Sequence, residues 1–317
     1  MQMKRKQGLY LLTSVVIVAS VLSCGRKNPA PQRPSPRAFP RVEVPSVYES
    51  EAERMDYFVQ RYWDRFTDTS EVFYCDSSTV NGVSIDDLEE AMGMYVTLLE
   101  RGPEDIAKAS LLRLCDRLLA FEKKDSSTNV FEEVLRLTEK YLYDPQSPVR
   151  DEDKFGVVAS RFSEENPRYA FIARMSALNA VGTKAADFEF TDAKGRRRSL
   201  YGIKADYTIL IFGNPDCAAC KNLTSAMSAD QRINALVSSG RIKVVDIYID
   251  NEVDVWKSKV GEYPSDWVNG YDHTFTIRED LLYHVRAIPS MYLLDKEKTV
   301  LMKDAPDQKL IQYLSTL

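Results

Sequence analysis

Residues 208–223 read TILIFGNPDCAACKNL. The first five, from Thr208 to Phe212, are a short apolar run of the kind that forms a strand buried on both faces. After a four-residue link, Cys217-Ala218-Ala219-Cys220 opens a segment predicted to be helical over about 218–238 and closed by Gly240. A thiol at a helix N-terminus faces unpaired N–H groups and the positive end of the helix dipole, and both favour thiolate. Two intervening residues bring the second sulfur back within one turn, near enough to close a disulfide. The competing reading of a CxxC, half of a zinc site, needs two further ligands. His273, His284, Cys75 and Cys115 are scattered through the chain, so no metal is expected.

Outward from this stretch, residues 186–190 and 198–200 read as strands joined by a turn at Ala193-Lys194-Gly195. Further strands are predicted at 207–212 and 242–249, then short helices, a strand pair at 291–294 and 299–302, and a C-terminal helix from Asp307. Strands alternating with helices imply an α/β sheet.

The order strand, CxxC, helix, strand, helix, and then Arg286-Ala287-Ile288-Pro289-Ser290-Met291-Tyr292-Leu293-Leu294-Asp295 resembles the thioredoxin fold, a central mixed sheet flanked by helices. That resemblance implies that Pro289 is the cis-proline facing the active disulfide and that the backbone of Ile288 lines the substrate groove. The opening Ala186-Asp187-Phe188-Glu189-Phe190-Thr191-Asp192, with Lys194-Gly195 and Ser199-Leu200, is similar to the N-terminal hairpin of membrane-tethered thiol-disulfide oxidoreductases of the TlpA/ResA (AhpC/TSA-like) type. The likeness covers about residues 182–317. It implies Cys217 as attacking nucleophile, Cys220 as resolving thiol and no cofactor. It further implies exported disulfide-containing proteins as substrates and a membrane thiol protein as electron donor.

The chain departs from that family in its details. Both residues inside the motif are alanine where many relatives have a proline, and Asp216 stands where thioredoxins usually have an aromatic residue. A carboxylate beside the nucleophile works against the helix dipole. The buried acid that assists proton transfer in thioredoxin falls at Ile211, and the glutamate of some tethered relatives falls at Thr191. Glu189, on the strand face of Thr191, is the remaining candidate acid. Peroxiredoxins share the fold, but their Pro and Thr or Ser ahead of the reactive cysteine correspond here to Leu210 and Asn214, which disfavours a peroxidase. His273 and His284 read as structural.

Residues 47–180 show helical periodicity and are predicted to form a bundle of about six helices. Ser84 caps one over 84–100, Pro103 starts the next, and others run over about 127–143, 150–163 and 167–179. Nothing in this half reads as catalytic: it has no histidine, and its charges fall at the spacings of solvated helix faces. The aromatic stretch Arg61-Tyr62-Trp63-Asp64-Arg65-Phe66 reads as core. Cys115 lies on an apolar stripe and reads as a small buried hydrophobe. Cys75 falls in a loop, and a Cys75–Cys115 disulfide stays open.

The N-terminus reads as an address. Lys4, Arg5 and Lys6 precede an apolar run over 9–22, too short at about 21 Å of helix to span a ~30 Å hydrocarbon core. Val21-Leu22-Ser23-Cys24 resembles a bacterial lipobox, which implies a signal peptide over 1–23, lipidation of Cys24 and a place in the cell envelope on the periplasmic side. Residues 25–46 hold six of the chain's 14 prolines, so 24–46 reads as an extended basic tether. Removing three basic residues and no acid takes the formal net charge from −5 to −8, poor equipment for nucleic acid. With 44% hydrophobic residues among 317, the chain suits two globular domains, bounded at about 180.

The expected activity is thiol-disulfide exchange in the reducing direction, with isomerase work as a variant. The alternative class is an envelope scaffold acting through the helical half, with the CxxC merely structural.

Overall fold

Six helices fill the first half: α1 (Glu51–Gln60), α2 (Ile85–Arg101), α3 (Glu104–Lys124), α4 (Val130–Leu142), α5 (Glu152–Arg161) and α6 (Pro167–Ala177). The computed structural model describes residues 35–71 and 73–317, so the predicted signal segment, Cys24 and the first part of the tether lie outside the described residues. Local chemistry sets the helix starts. Ser50 and Glu53 form a reciprocal capping box on α1, while Ser84 caps α2 through the N–H of Asp87. Asp151 caps α5, and Pro167 occupies the first turn of α6, where an N–H is not needed. The sequence reading misses a two-residue hairpin, β1 (Thr79–Val80) and β2 (Val83–Ser84), turning on Asn81-Gly82 with φ of 46° and 77°. Two residues are too few to show alternation, although Asn-Gly is itself a turn signal.

Tyr62, Trp63 and Phe66 are buried in the helical core with Tyr95. Phe39 joins them, its ring 5.5 Å from Tyr62 and 5.4 Å from Phe66. Just before it, the Arg37 N–H donates to Gly82 at 2.8 Å and its guanidinium lies 3.6 Å over the Phe73 ring. The compact unit therefore begins at Pro36, and the tether predicted to reach residue 46 is shorter. A large aromatic inside a proline-rich stretch gains more from burial than the extended chain gains from hydration.

The second half is a seven-stranded sheet in the order β4-β3-β7-β6-β5-β8-β9. Its strands are β3 (Glu189–Asp192), β4 (Arg197–Ser199), β5 (Tyr207–Gly213), β6 (Ile242–Tyr248), β7 (Val268–Tyr271), β8 (Ser290–Leu294) and β9 (Val300–Lys303). The β5–β6 and β6–β7 pairs are parallel and the others antiparallel, a thioredoxin-like mixed sheet. Helices α7 (Ala218–Ala229), α8 (Gln231–Ser238), α9 (Val253–Lys259) and α10 (Asp307–Leu314) flank it. Phe188, Phe190, Phe212 and Tyr283 fill one face, and Ile209, Ile211, Leu223 and Met227 the other.

The long helix over 218–238 is two helices, because Asp230 ends α7 and turns its carboxylate onto the N–H groups of Arg232 and Ile233 to start α8. The strand β7 carries no clear strand signal in its sequence, since Gly270 breaks its pattern. Glycine is required there: a Cβ would sit 2.5 Å from Phe190 Cδ2 and 2.9 Å from the Thr191 carbonyl oxygen.

The helical half and the sheet do not separate at residue 180; Pro36–Leu317 clusters as one unit. Glu152, at the start of α5, has no exposed side-chain surface and accepts from or pairs with His284 Nδ1 at 2.9 Å, Lys303 at 3.5 Å and Arg286 at 3.6 Å. Arg286 also pairs with Asp304 at 2.6 Å and donates to the Tyr143 carbonyl. Lys303 Nζ donates to the carbonyls of Met175, Ser176 and Leu178. No helix among the described residues is long and apolar enough to cross a membrane.

Candidate functional site

The link between β5 and α7 is built by Asn214. Its side-chain oxygen accepts from the Asp216 N–H at 2.8 Å, its carbonyl from the Cys217 N–H at 3.1 Å, and its amide donates to Asp250 at 2.6 Å. The turn delivers Cys217 to the N-cap of α7. There its Sγ accepts from the Cys220 N–H at 3.2 Å, so one of the helix's unpaired donors points at the sulfur. Both cysteines are free thiols. Cys217 is half-buried, and Cys220 is buried behind it at 6% exposure. Burial pushes the Cys220 thiol up, and its contact with Cys217 adds to the shift. One sulfur thus reaches solvent at the helix end while the other waits in the interior, the division of labour that attack and resolution require.

The Ile288–Pro289 peptide is cis. The Cys217 thiol donates to the Ile288 carbonyl at 3.6 Å, so the two segments that the resemblance paired lie side by side. Asp216 does not confront Cys217 with an unbalanced charge: its carboxylate pairs with Lys259 from α9, which holds it below the usual carboxylate range. Glu189 is corrected as candidate acid. It is exposed on β3, and β7 and β6 stand between that strand and β5.

The acid that the sequence reading missed is Asp246. It lies on β6 in parallel register with Ile211, the position where thioredoxin carries its acid, so a carboxyl stands one strand over at the same level. Asp246 is 3% exposed, its Oδ1 has no hydrogen-bond partner among the described residues, and burial pushes it up to about 7. Both its oxygens lie 3.6 Å, and Cys220 Sγ 3.7 Å, from the point that a Cβ on Gly213 would occupy. The bare backbone of Gly213 leaves carboxyl and thiol facing one small volume. A single carboxylate inside the otherwise apolar stretch 244–249 was the available signal.

The remaining candidates are structural. His273 Nδ1 lies 3.2 Å from Thr191 Oγ1, and His284 serves Glu152. Cys115 is 1% exposed and pushed up to about 12 by burial, while Cys75 Sγ accepts from the Asn81 N–H at 3.2 Å.

Residues 16–172 match a family described as a domain of unknown function, DUF5106. No curated protein matches the chain. Among solved structures, a thioredoxin-like protein from Bacteroides caccae is 34% identical with a TM-score of 0.75, over 88% of this chain and 99% of that one. The C-terminal domain of an uncharacterized protein from Bacteroides fragilis is 44% identical over 44% of this chain and 99% of its own, with a TM-score of 0.43. The thioredoxin domain of a thiol-disulfide oxidoreductase from Bacteroides vulgatus is 22% identical over 43% of this chain and 96% of its own, with a TM-score of 0.39. The first of these spans both halves, and with it the chain belongs to the thioredoxin-like proteins.

Proposed function

We propose that this chain is an envelope thiol-disulfide oxidoreductase of the TlpA/ResA type, held to the membrane through a lipidated Cys24, that reduces disulfides of exported proteins. The observation that carries the chemistry is Cys217 Sγ at the N-cap of α7, facing the Ile288 carbonyl, with Cys220 buried one turn behind. The Cys217 thiolate attacks one sulfur of a substrate disulfide; a mixed disulfide forms and the first substrate thiolate leaves and takes up a proton. Cys220, giving its proton to Asp246, then attacks Cys217 Sγ. The second substrate thiolate is expelled and protonated, and the Cys217–Cys220 disulfide carries away the oxidation. Two electrons reach the substrate, and a membrane dithiol donor restores the pair. The lipobox-like Val21-Leu22-Ser23-Cys24 and the basic, proline-rich residues that follow support the anchor.

The test is reduction of a protein disulfide by the full chain with dithiothreitol as reductant. Cys217→Ser is expected to fall to the uncatalysed background and Cys220→Ala to accumulate mixed disulfides; a Cys217→Ser chain at the wild-type rate would refute the cycle. In cells, Cys24→Ala is expected to move the protein from the membrane to the soluble envelope fraction, and retention in the membrane would remove the lipid anchor from the account.

A further inference from the structure

A cleft of about 510 Å³ runs from Ile288 and Pro289 along α7. One wall is the outer face of α7, with Ala219, Asn222 and Ala226. The facing wall comes from the helical half, where Pro145, Gln146 and Pro148 lie in the loop between α4 and α5. We propose that this cleft binds an extended stretch of the substrate polypeptide next to the cysteine that bonds to Cys217, so that the helical half selects the substrate. This rests on the thiol-disulfide reading above.

Continuity with the reactive sulfur says what lies there. Ile288, whose carbonyl is 3.6 Å from Cys217 Sγ, lines one end of the cleft, and Ala219 follows Cys217 by two residues. A sulfur bonded to Cys217 therefore has its own chain at the mouth of the groove. From Ala219 to Ala226 the helix advances about 10 Å, the length of about three extended residues.

The lining suits a peptide backbone. Leu223 and Met291 give it an apolar floor, and the exposed amides of Gln146, Asn222 and Gln308 stand on its rim. Their side chains make no hydrogen bond to another described residue. Each amide donates and accepts, which matches the alternating C=O and N–H groups of an extended chain. A small acidic disulfide would need a free cation instead. Arg150, the cation of the lining, is already committed to the carbonyls of Asp304 at 3.0 Å and Ala305 at 3.2 Å, and exposed Asp307 adds negative charge. Those bonds also hold the wall in place before substrate arrives. Arg286 ties the segment just ahead of Ile288 to Tyr143 and Asp304, so the Ile288 end of the groove is fastened to the helical half that supplies the second wall.

The experiment compares rates of mixed-disulfide formation in the full chain carrying Cys220→Ala, with two probes. One is a seven-residue peptide joined through its cysteine to mercaptoethanol, the other hydroxyethyl disulfide, and oxidised glutathione is run beside them as a small acidic disulfide. Ala226→Trp and, as a second variant on the opposite wall, Gln146→Trp are each expected to lower the ratio of peptide rate to small-disulfide rate at least tenfold. Ser228→Trp, exposed on α7 outside the cleft, is expected to keep the wild-type ratio. Unchanged ratios in both wall variants, with both probes still reacting, would overturn the groove and leave the oxidoreductase reading standing. A Ser228→Trp ratio that falls equally, or oxidised glutathione reacting faster than the peptide, would also overturn it. If neither probe reacts with Cys217, the oxidoreductase reading fails and takes the groove with it.

Discussion

Glu152→Ala is expected to destabilise the full chain by about 3–5 kcal/mol, the usual consequence of removing one partner from a buried charge cluster. The side chains of Glu152 and Lys303 have no exposed surface and that of Arg286 has 6%, so the two cations would be left in the interior without their shared carboxylate. Burial by itself raises the Glu152 carboxyl, but the His284 hydrogen bond and the charges of Lys303 and Arg286 outweigh it and hold it below the usual range. The contribution is therefore present at neutral pH and lost as pH falls through that depressed value, which makes the cluster part of the acid limb of unfolding. Glu152→Gln keeps an acceptor for His284 and should lose less. Urea unfolding of the three chains checks this; an alanine variant within about 1 kcal/mol of wild type would show that other contacts hold the two halves together.

Asp246→Asn is expected to make the protein more stable and the proposed disulfide exchange slower. With its carboxyl raised to about 7 in the folded chain and near 3.9 when unfolded, the folded state keeps a proton that the unfolded state has lost. Stability therefore falls as pH rises from about 4 to 7, and the loss is complete above that, on the order of 4 kcal/mol. Asparagine does not ionise, so the variant should match wild type near pH 4 and exceed it at pH 8. The resolving step should slow about 100-fold at neutral pH, the scale of a lost general base, and lose its dependence on a group titrating near 7. Equal resolution rates in stopped-flow measurements would remove Asp246 from the proton path, whatever the stability shows.

What the sequence made legible was local. The apolar run 208–212, the CxxC beginning a helix, and Pro289 ahead of a strand each sit within a few residues of their own signal. The structure places Cys217 against the Ile288 carbonyl accordingly. What stayed hidden depends on pairing between distant segments. Asp246 comes to face the same small volume as Cys220 only because β6 lies parallel to β5 in a register that sets it beside Ile211. Glu152 looked like one more charge on a solvated helix face, because Lys303 and Arg286, which bury it, come from the far end of the chain. Phe39 was hidden by its neighbours: prolines announce an extended chain but say nothing of the aromatic pocket among Tyr62, Trp63 and Phe66 that receives it.

The reduction potential of the Cys217–Cys220 pair, read by equilibrating the full chain against glutathione or dithiothreitol buffers, bears most directly on the claim that this is a working redox couple. A helix N-terminal thiol beside a buried partner predicts a value in the exchange range, between about −120 and −270 mV, with Cys217 the thiol that reacts first. A potential below about −300 mV, with no reactivity at Cys217, would contradict the account and make the pair a structural disulfide.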